Sequence, residues 1–165
     1  LPISSQHRVY RVVDELGQAF VVKEYSMTPT MLGVCYREAT LLRRMRHPHI
    51  VELIAIFEDP NTTALYLQMP FYANGQLDRW VQQEHPDQLS VCRVLWQAAQ
   101  ALAHLHAHGV VHSDVKPANI LVDGHGRARL ADFDVSVDAA TRVSSLRATQ
   151  VGFSHGFAAP ELLSA

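Results

Sequence analysis

The sequence predicts an α+β chain in which strands and one helix come first and two further helices follow. Between residues 8 and 69, short runs rich in β-branched and aromatic residues alternate with turn residues. From residue 76 to residue 108 the apolar residues recur at helical spacing, and a short two-stranded hairpin is predicted after residue 119. Strands and helices that occupy separate stretches of a chain are typical of α+β architecture, whereas regular alternation favours a parallel sheet.

The first part of the chain opens with a predicted β-hairpin. RVYRVV (8–13) and AFVVKEY (19–25) are rich in residues that favour strands, and the DELGQ between them (14–18) has turn chemistry. This prediction places Lys23 within a strand.

A helix and two further strands are predicted next. CYREATLLRRMR (35–46) has apolar residues at helical spacing and basic residues near its C-terminal end, where they suit the helix dipole. Glu38 lies on this helix. IVELIAIF (50–57) and ALYLQM (64–69) have strand character, and Pro70 then ends the ladder because proline has no N–H to donate.

Two helices are predicted in the second part of the chain. QLDRWVQQ (76–83) forms the first, and Ser90 is predicted as the N-cap of a long amphipathic helix over 91–108, with Gly109 as its stop. NILVD and ARLAD then flank GHGR as a hairpin, which places Asn119 and Asp132 at its two ends.

Composition excludes several classes of function. The 14 basic and 16 acidic residues give a net charge of −2, which predicts no nucleic-acid partner. No apolar run approaches the roughly 20 residues that span a bilayer, and LPISSQHRVY has no signal-peptide character. The two cysteines, Cys35 and Cys92, lie in predicted helices and are expected to be reduced thiols. We therefore expect a soluble, cytoplasmic protein.

Five polar motifs follow one another along the chain. Taken singly, each is common: a strand lysine is usually solvated, and a loop asparagine or aspartate often serves a turn. Their joint occurrence in one order is far more specific. The motifs are Lys23 in VVK, Glu38 in REATLL, HSDVKPAN (112–119), DFD (132–134) and APE (159–161).

These motifs resemble those of the eukaryotic protein kinase domain of the serine/threonine type. Its pattern is a strand lysine, a helix glutamate, H-R-D-x-K-x-x-N, D-F-G and A-P-E, and the resemblance covers the whole chain. It implies a two-lobed fold with a small antiparallel β lobe that carries one helix (1–69) and a hinge (70–75). The first part of a mainly helical large lobe (76–165) would follow, truncated just after the APE motif.

The resemblance implies a role for residues of the third motif. Asp114 would accept the proton of a substrate hydroxyl, and Lys116 would offset the charge that develops on the γ-phosphate. Asn119 would complete this catalytic set. Ser154 corresponds to the residue that supports serine or threonine as the acceptor.

The resemblance also implies that ATP and Mg²⁺ are bound. Lys23 would hold the α- and β-phosphates, and Glu38 would orient Lys23 through an ion pair. Asn119 and Asp132 would ligate Mg²⁺, which prefers oxygen ligands. The adenine base would contact four residues: Met69, Pro70, Tyr72 and Leu121.

The chain departs from the family pattern in its phosphate-covering loop and in its DFD motif. The glycines of the phosphate-covering loop are replaced by Pro2, Ser4 and His7, which allow less close approach of the backbone to phosphate. Asp134 stands where the pattern has the glycine of D-F-G.

Ser113 replaces the arginine of H-R-D. A serine hydroxyl has neither the charge nor the fork of donors with which arginine recognises phosphate. Activity is therefore expected to be independent of phosphorylation in the segment from Asp132 to Glu161. Within that segment, Thr141, Ser144, Ser145 and Thr149 are the candidate sites of modification.

The histidines are expected to be structural. His112 is predicted to pack, by resemblance, in an apolar stack with Phe133, Leu42 and Leu53. A metal site at the end of the long helix, formed by His104, His106 and His108, is disfavoured because the sequence places no cysteine or acidic residue nearby.

The leading hypothesis is an ATP-dependent serine/threonine protein kinase that acts on a protein substrate and is controlled by regulatory partner domains. The alternative is a pseudokinase, a scaffold that keeps the fold with weak or no phosphotransfer, and the missing loop glycines favour it. Against it, a scaffold has no physical need for a base and metal ligands. A metal- or nucleic-acid-binding protein, the third possibility, has only the histidines in its favour.

Overall fold

The computed structural model describes residues 8–59, 61–138 and 154–157. These residues form two compact units: the first contains residues 8–46, 51–59 and 61–71, and the second contains residues 47–50, 72–138 and 154–157. Strands dominate the first unit, and the second unit contains two α-helices followed by short strands. The predicted α+β class is thereby confirmed, while the lobe boundaries 1–69, 70–75 and 76–165 stay a prediction.

The first unit is a four-stranded antiparallel sheet with one helix. The strands β1 (Arg8–Val13), β2 (Ala19–Ser26), β3 (Ala55–Glu58) and β4 (Ala64–Pro70) are ordered β1-β2-β4-β3. The β1–β2 hairpin predicted from the sequence is confirmed. In the register, Lys23 lies opposite Val9 on one side and Leu67 on the other, so that it occupies a central strand.

The helix of the first unit, α1 (Pro29–Arg44), begins at Pro29 and not at Cys35 as predicted. Thr28 is its N-cap, and the Thr28 hydroxyl accepts a hydrogen bond from the Met31 N–H at 3.3 Å. Proline suits the first helical position because the N–H that it lacks would have no helical partner there. The Thr28-Pro29 pair marks the start of this helix in the sequence, whereas the spacing of the leucines indicated only its later part.

The predicted strand over residues 50–57 was largely wrong, because β3 contains only residues 55–58. Ile50 belongs to the second unit and forms an isolated parallel bridge with Leu130. Ile54, by contrast, donates its N–H to the Gln68 carbonyl in the first unit at 2.8 Å. A segment that changes its hydrogen-bonding partner within five residues cannot form one continuous strand.

The second unit contains the helices α2 (Leu77–Glu84) and α3 (Gln88–Ala107). Ser90 is not the N-cap of α3. Asp87 is, and its carboxylate accepts a hydrogen bond from the Ser90 N–H at 2.6 Å. Aspartate is the stronger cap because its charge also suits the positive end of the helix dipole. Gly109 follows the helix with φ +71°, a left-handed conformation that glycine adopts at little cost.

Short strands present the polar motifs of the second unit. β5 (Val110–Val111) pairs with β8 (Val137–Asp138), and β6 (Ile120–Val122) pairs with β7 (Ala128–Leu130). A 3₁₀ turn, Pro117–Asn119, leads into β6, and another lies at His155–Phe157. In the antiparallel β6–β7 pair Ile120 lies opposite Leu130, so Asn119 and Asp132 are held at the same end, as predicted.

Asp123 fixes the turn between β6 and β7. Its Oδ1 accepts hydrogen bonds from the N–H groups of His125 and Arg127, and its Oδ2 contacts the guanidinium groups of Arg127 and Arg129 at 3.0 and 3.1 Å. Burial alone would raise the pKa of Asp123, but these donors outweigh it and hold the pKa below its ordinary value. The β6–β7 pair that carries Asn119 and Asp132 is therefore closed by a turn that the contacts of the Asp123 carboxylate stabilise.

Both cysteines are free, Cys35 buried in α1 and Cys92 exposed on α3. Across the part of the chain that the structure describes, every helix is too short or too polar to cross a membrane.

Candidate active site

The two lysines of the chain, Lys23 and Lys116, each contact a carboxylate, and each lies in a different unit. In the first unit the Nζ of Lys23 lies 3.1 Å from Oε1 and 3.0 Å from Oε2 of Glu38. Lys23 is 5% exposed and Glu38 is 1% exposed. A buried charge is stable only when it is paired and hydrogen-bonded. The strand lysine and helix glutamate named from the sequence are thus held together as a buried ion pair.

Tyr25 is a residue that the sequence reasoning missed. It lies two positions after Lys23 on β2, is fully buried, and donates its hydroxyl to Oε2 of Glu38. The period of two along a strand places residues 23 and 25 on the same face of the sheet. The spacing of two from Lys23 could have indicated that Tyr25 shares its face of the sheet, but not that it would contact Glu38.

In the second unit the loop between β5 and β6 brings the catalytic candidates together. Lys116 Nζ lies 2.6 Å from Oδ2 of Asp114, and the Asn119 side-chain amide donates to the same Oδ2 at 3.0 Å. The Ser154 N–H donates to Oδ1 of Asp114 at 3.2 Å. Lys116 also donates to the Ser154 hydroxyl at 2.8 Å. Four residues named from the sequence therefore form one hydrogen-bonded cluster.

This cluster keeps Asp114 ionised. Burial by itself would raise the pKa of Asp114, but hydrogen bonds from Lys116 and Ser154, the charge of Lys116, and the Asn119 amide together outweigh burial and lower the pKa. The carboxylate is thus negatively charged at neutral pH. Lys116, Asn119 and the Ser154 N–H, which contact its oxygens among the described residues, are all hydrogen-bond donors.

Asn119 has an orientation that its partners determine. Its Nδ2 donates both to the Asp114 carbonyl at 2.8 Å and to the Asp114 carboxylate. Because both partners are acceptors, the amide nitrogen must point toward them and the amide oxygen away. That oxygen, together with the carboxylate of Asp132, belongs to the donor class that Mg²⁺ prefers, so the two residues fit a magnesium ion chemically.

Two residues of the loops adopt left-handed backbone conformations. Asp132 has φ +66° and Ser113 has φ +69°. Aspartate tolerates this region because its side chain can hydrogen-bond to the nearby backbone, whereas serine is less favoured there. The Ser113 hydroxyl donates to the Val111 carbonyl at 3.4 Å, a long hydrogen bond.

His112 is buried and joins the loop to the segment after β7. Its Nε2 contacts the Ala131 carbonyl at 2.9 Å, and its Nδ1 accepts the Asp114 N–H at 3.4 Å. Accepting at Nδ1 leaves the proton on Nε2, which defines one neutral tautomer. The ring also packs edge-on against Phe133 with centroids 5.0 Å apart, as expected for that pair. His112 is therefore a structural residue that positions the backbone of Asp114.

The stability of the second unit is expected to fall on acidification. Burial lowers the pKa of His112, against the opposing effects of the Ala131 carbonyl and two carboxylates; the pKa values of His47 and His104 are also lowered, by burial and neighbouring histidines. The unfolded chain then takes up protons near pH 6.5 while the folded chain does not. The unfolding free energy should therefore drop as pH falls below about 6.5, by at most about 1.4 kcal/mol per pH unit for each histidine.

Urea unfolding at pH 7.5, 6.5 and 5.5 tests this prediction. Fluorescence reports the second unit because Trp80 and Trp96, the only tryptophans of the chain, both lie in it. The His112→Gln variant should lose stability less steeply with falling pH, whereas His125→Gln, at an exposed turn position, should follow the wild type. An equal slope for His112→Gln and the wild type would contradict the assignment.

The residues expected to contact adenine are placed as follows. Met69 is buried in β4 and Pro70 ends that strand, both in the first unit. Tyr72 and Leu121 lie in the second unit, where the Arg129 guanidinium sits 5.6 Å from the centre of the Tyr72 ring and Leu121 bridges Gln76. Their contact with a nucleotide stays a prediction.

Several residues named from the sequence lie outside the described residues. They are the loop positions Pro2, Ser4 and His7, the hydroxyl residues Thr141, Ser144, Ser145 and Thr149, and the APE motif at 159–161. Of the predicted apolar stack, the contact between His112 and Phe133 is confirmed, and the packing against Leu42 and Leu53 stays a prediction.

The sequence is similar to protein kinases along nearly all of its length. The protein kinase domain family matches residues 5–165. CBL-interacting serine/threonine-protein kinase 24 of Arabidopsis thaliana is 31% identical over 92% of this chain and 33% of its own. Serine/threonine-protein kinase ppk16 of Schizosaccharomyces pombe is 31% identical over 98% of this chain and 26% of its own. CBL-interacting protein kinase 22 of Oryza sativa subsp. japonica is 37% identical over 77% of this chain and 30% of its own.

The chain thus spans about a third or less of the length of these relatives. The family match covers both units, including the buried Lys23–Glu38 pair and the cluster around Asp114. On these grounds the chain belongs to the protein kinase domain family.

Proposed function

We propose that this chain transfers the γ-phosphoryl group of ATP to serine or threonine hydroxyls of a protein substrate. The observation that carries the proposal is the cluster in which Lys116, Asn119 and Ser154 all donate to an ionised Asp114 or to one another. Phosphoryl transfer needs positioned charges more than covalent participation by the protein, so a fixed carboxylate beside a fixed ammonium suits it.

Asp114 is the residue that receives the substrate hydroxyl. Because its pKa is lowered, it is a weak base, and its main contribution is to orient the hydroxyl and to take its proton as the new O–P bond forms. Lys116, 2.6 Å away, supplies positive charge for the transferred phosphoryl oxygens. The Ser154 hydroxyl, held by Lys116, borders the same carboxylate and supports small hydroxyl acceptors.

Lys23 is the residue proposed to contact the α- and β-phosphates, with Glu38 holding its ammonium in place. Asn119 and Asp132 would hold Mg²⁺, which when bound offsets the negative charge of the phosphate oxygens. The adenine contacts are assigned to Met69, Pro70, Tyr72 and Leu121.

The remaining parts of the proposal concern partners and place of action. Protein substrates follow from the serine/threonine kinases that the chain resembles, and regulatory partner domains are proposed because those relatives are much longer than this chain. The balanced charge of −2 supports the absence of a nucleic-acid partner. We assign the activity to the cytoplasm and the lobes to residues 1–69 and 76–165, joined by 70–75.

The proposal is tested by incubating the chain with Mg²⁺ and ATP labelled at the γ-phosphate, together with casein and a degenerate serine/threonine peptide library. Labelled phosphoserine or phosphothreonine is expected after acid hydrolysis. Label confined to tyrosine would exclude the serine/threonine assignment.

A scaffold function is the second candidate, and the sequence observation that favours it is the replacement of the loop glycines by Pro2, Ser4 and His7. Such a chain would bind Mg-ATP or a partner protein without transferring phosphate. Isothermal calorimetry that detects Mg-ATP binding, combined with no labelled product, would favour the scaffold over the kinase.

A further inference from the structure

Tyr25 shares a carboxylate with the lysine proposed to bind phosphate. Within the first unit, α1 packs on β2, and Glu38 points from α1 toward the face of β2 that carries residues 23 and 25. The Lys23 ammonium donates hydrogen bonds to both carboxylate oxygens of Glu38, and the Tyr25 hydroxyl donates to Oε2 as well. One carboxylate thus receives a charged donor and a neutral donor from the same strand.

The hydrogen bond from Tyr25 to Glu38 matters because both side chains are buried. Tyr25 is 0% exposed and Glu38 is 1% exposed, so water cannot substitute for the phenol. A buried carboxylate retains its charge and its rotamer only if its oxygens are hydrogen-bonded. The Lys23 ammonium also lies 5.6 Å from the centre of the Tyr25 ring, near enough for a cation–π attraction.

We propose that Tyr25 is a positioning residue for nucleotide binding: its hydroxyl holds Glu38 while Lys23 turns part of its ammonium toward phosphate. The inference rests on the proposed function, because it assigns Lys23 to the phosphates. An ammonium has three N–H donors, and two of them now face Glu38. When one of them turns to a phosphate oxygen, Glu38 loses part of its pairing, and the Tyr25 hydroxyl compensates for that loss.

Removing the hydroxyl should therefore make phosphate and Glu38 compete for Lys23. In Tyr25→Phe the ring still fills the core, but its donor to Oε2 is lost, and Oε2 then depends more strongly on the Lys23 ammonium. A hydrogen bond to a charged group is strong enough to change affinity by about tenfold or more when it is lost. We expect Mg-ATP to bind about tenfold more weakly, with a matching rise in KM and a change in kcat below about twofold.

The experiment measures the dissociation constant of Mg-ATP by calorimetry for the full chain and four variants: Tyr25→Phe, Tyr66→Phe, Glu38→Gln and Tyr25→Phe/Glu38→Gln. Tyr66→Phe is the matched control, since Tyr66 lies in β4 of the same sheet and its hydroxyl is hydrogen-bonded to that of the exposed Thr62 at 3.1 Å. Tyr25→Phe should weaken binding in the wild type but change it less than twofold in the Glu38→Gln background.

Equal losses in both backgrounds, or unchanged affinity in a folded Tyr25→Phe chain, would overturn the inference. A wild type that binds no Mg-ATP would remove the proposed function instead. Urea unfolding then compares the wild type, Tyr25→Phe, Glu38→Gln and the double variant. Non-additive effects of Tyr25→Phe and Glu38→Gln on unfolding would show that the hydroxyl still positions Glu38, while additive effects would overturn that role too.

Discussion

Replacing Asp114 by asparagine is expected to lower the rate of phosphotransfer by about 10²–10⁴-fold through the loss of general base catalysis. The carboxylate is the group that the proposed mechanism uses to orient and deprotonate the substrate hydroxyl. Its pKa is held down by Lys116, Ser154 and Asn119, so the wild type has the charged form available throughout the neutral range.

Asparagine has the shape of aspartate but does not suit this environment. One oxygen of Asp114 faces Lys116 and the Asn119 amide, and the other faces the Ser154 N–H, so every one of these contacts is a donor. An asparagine must direct its NH₂ at one of these donors, whichever way it is turned. Part of the loss should therefore come from displacement of Lys116 or Ser154, and it should appear as a raised KM for the protein substrate.

The matched control is Asp78→Asn, an exposed aspartate in the first turn of α2 in the same unit. It should keep the wild-type rate and change stability by less than about 1 kcal/mol, since only a favourable charge near a helix N-terminus is lost. Initial rates with labelled ATP, together with melting temperatures for all three chains, make the comparison. Wild-type phosphotransfer by a pure, folded Asp114→Asn chain would end the enzyme proposal.

Local sequence patterns predicted the elements that local interactions determine. The run of β-branched residues at 8–13 and the turn residues after it give β1 and β2, and Gly109 ends α3 because glycine accepts a positive φ. The spacing of the HSDVKPAN motif is also local, so the contacts of Asp114 with Lys116 and Asn119 could be anticipated from it. Their catalytic roles remain predictions.

Contacts between distant residues were harder to predict. The donor from Tyr25 to Glu38 joins residues 13 positions apart on different elements, and nothing in the tyrosine itself indicates which carboxylate it will meet. The change of partner between Ile50 and Ile54 likewise depends on where two units divide, which a hydrophobic run does not reveal. The errors at the starts of α1 and α3 have a different origin, because Thr28 and Asp87 precede the apolar residues whose helical spacing predicted these helices.

The Lys23→Met variant is expected to destabilise the chain by about 3–5 kcal/mol, because it leaves the Glu38 carboxylate buried without its cation. Lys23 and Glu38 are nearly inaccessible to water, so neither solvent nor salt can replace the pairing. The double variant Lys23→Met/Glu38→Gln should recover more than half of that loss. Glutamine removes the charge and still offers an oxygen to the Tyr25 hydroxyl.

Differential scanning calorimetry on the full chain measures these changes, with Arg127→Met as the control. Arg127 pairs with Asp123 at 3.0 Å but its side chain is 50% exposed, so its removal should cost less than about 1 kcal/mol. A Lys23→Met chain as stable as the wild type, or a double variant no more stable than the single one, would contradict the buried pair. Because Lys23→Met alone lowers stability and phosphate contact together, nucleotide binding is best read in the double variant. There the stability is largely recovered, and any loss of Mg-ATP affinity beyond that of Glu38→Gln alone belongs to the missing ammonium.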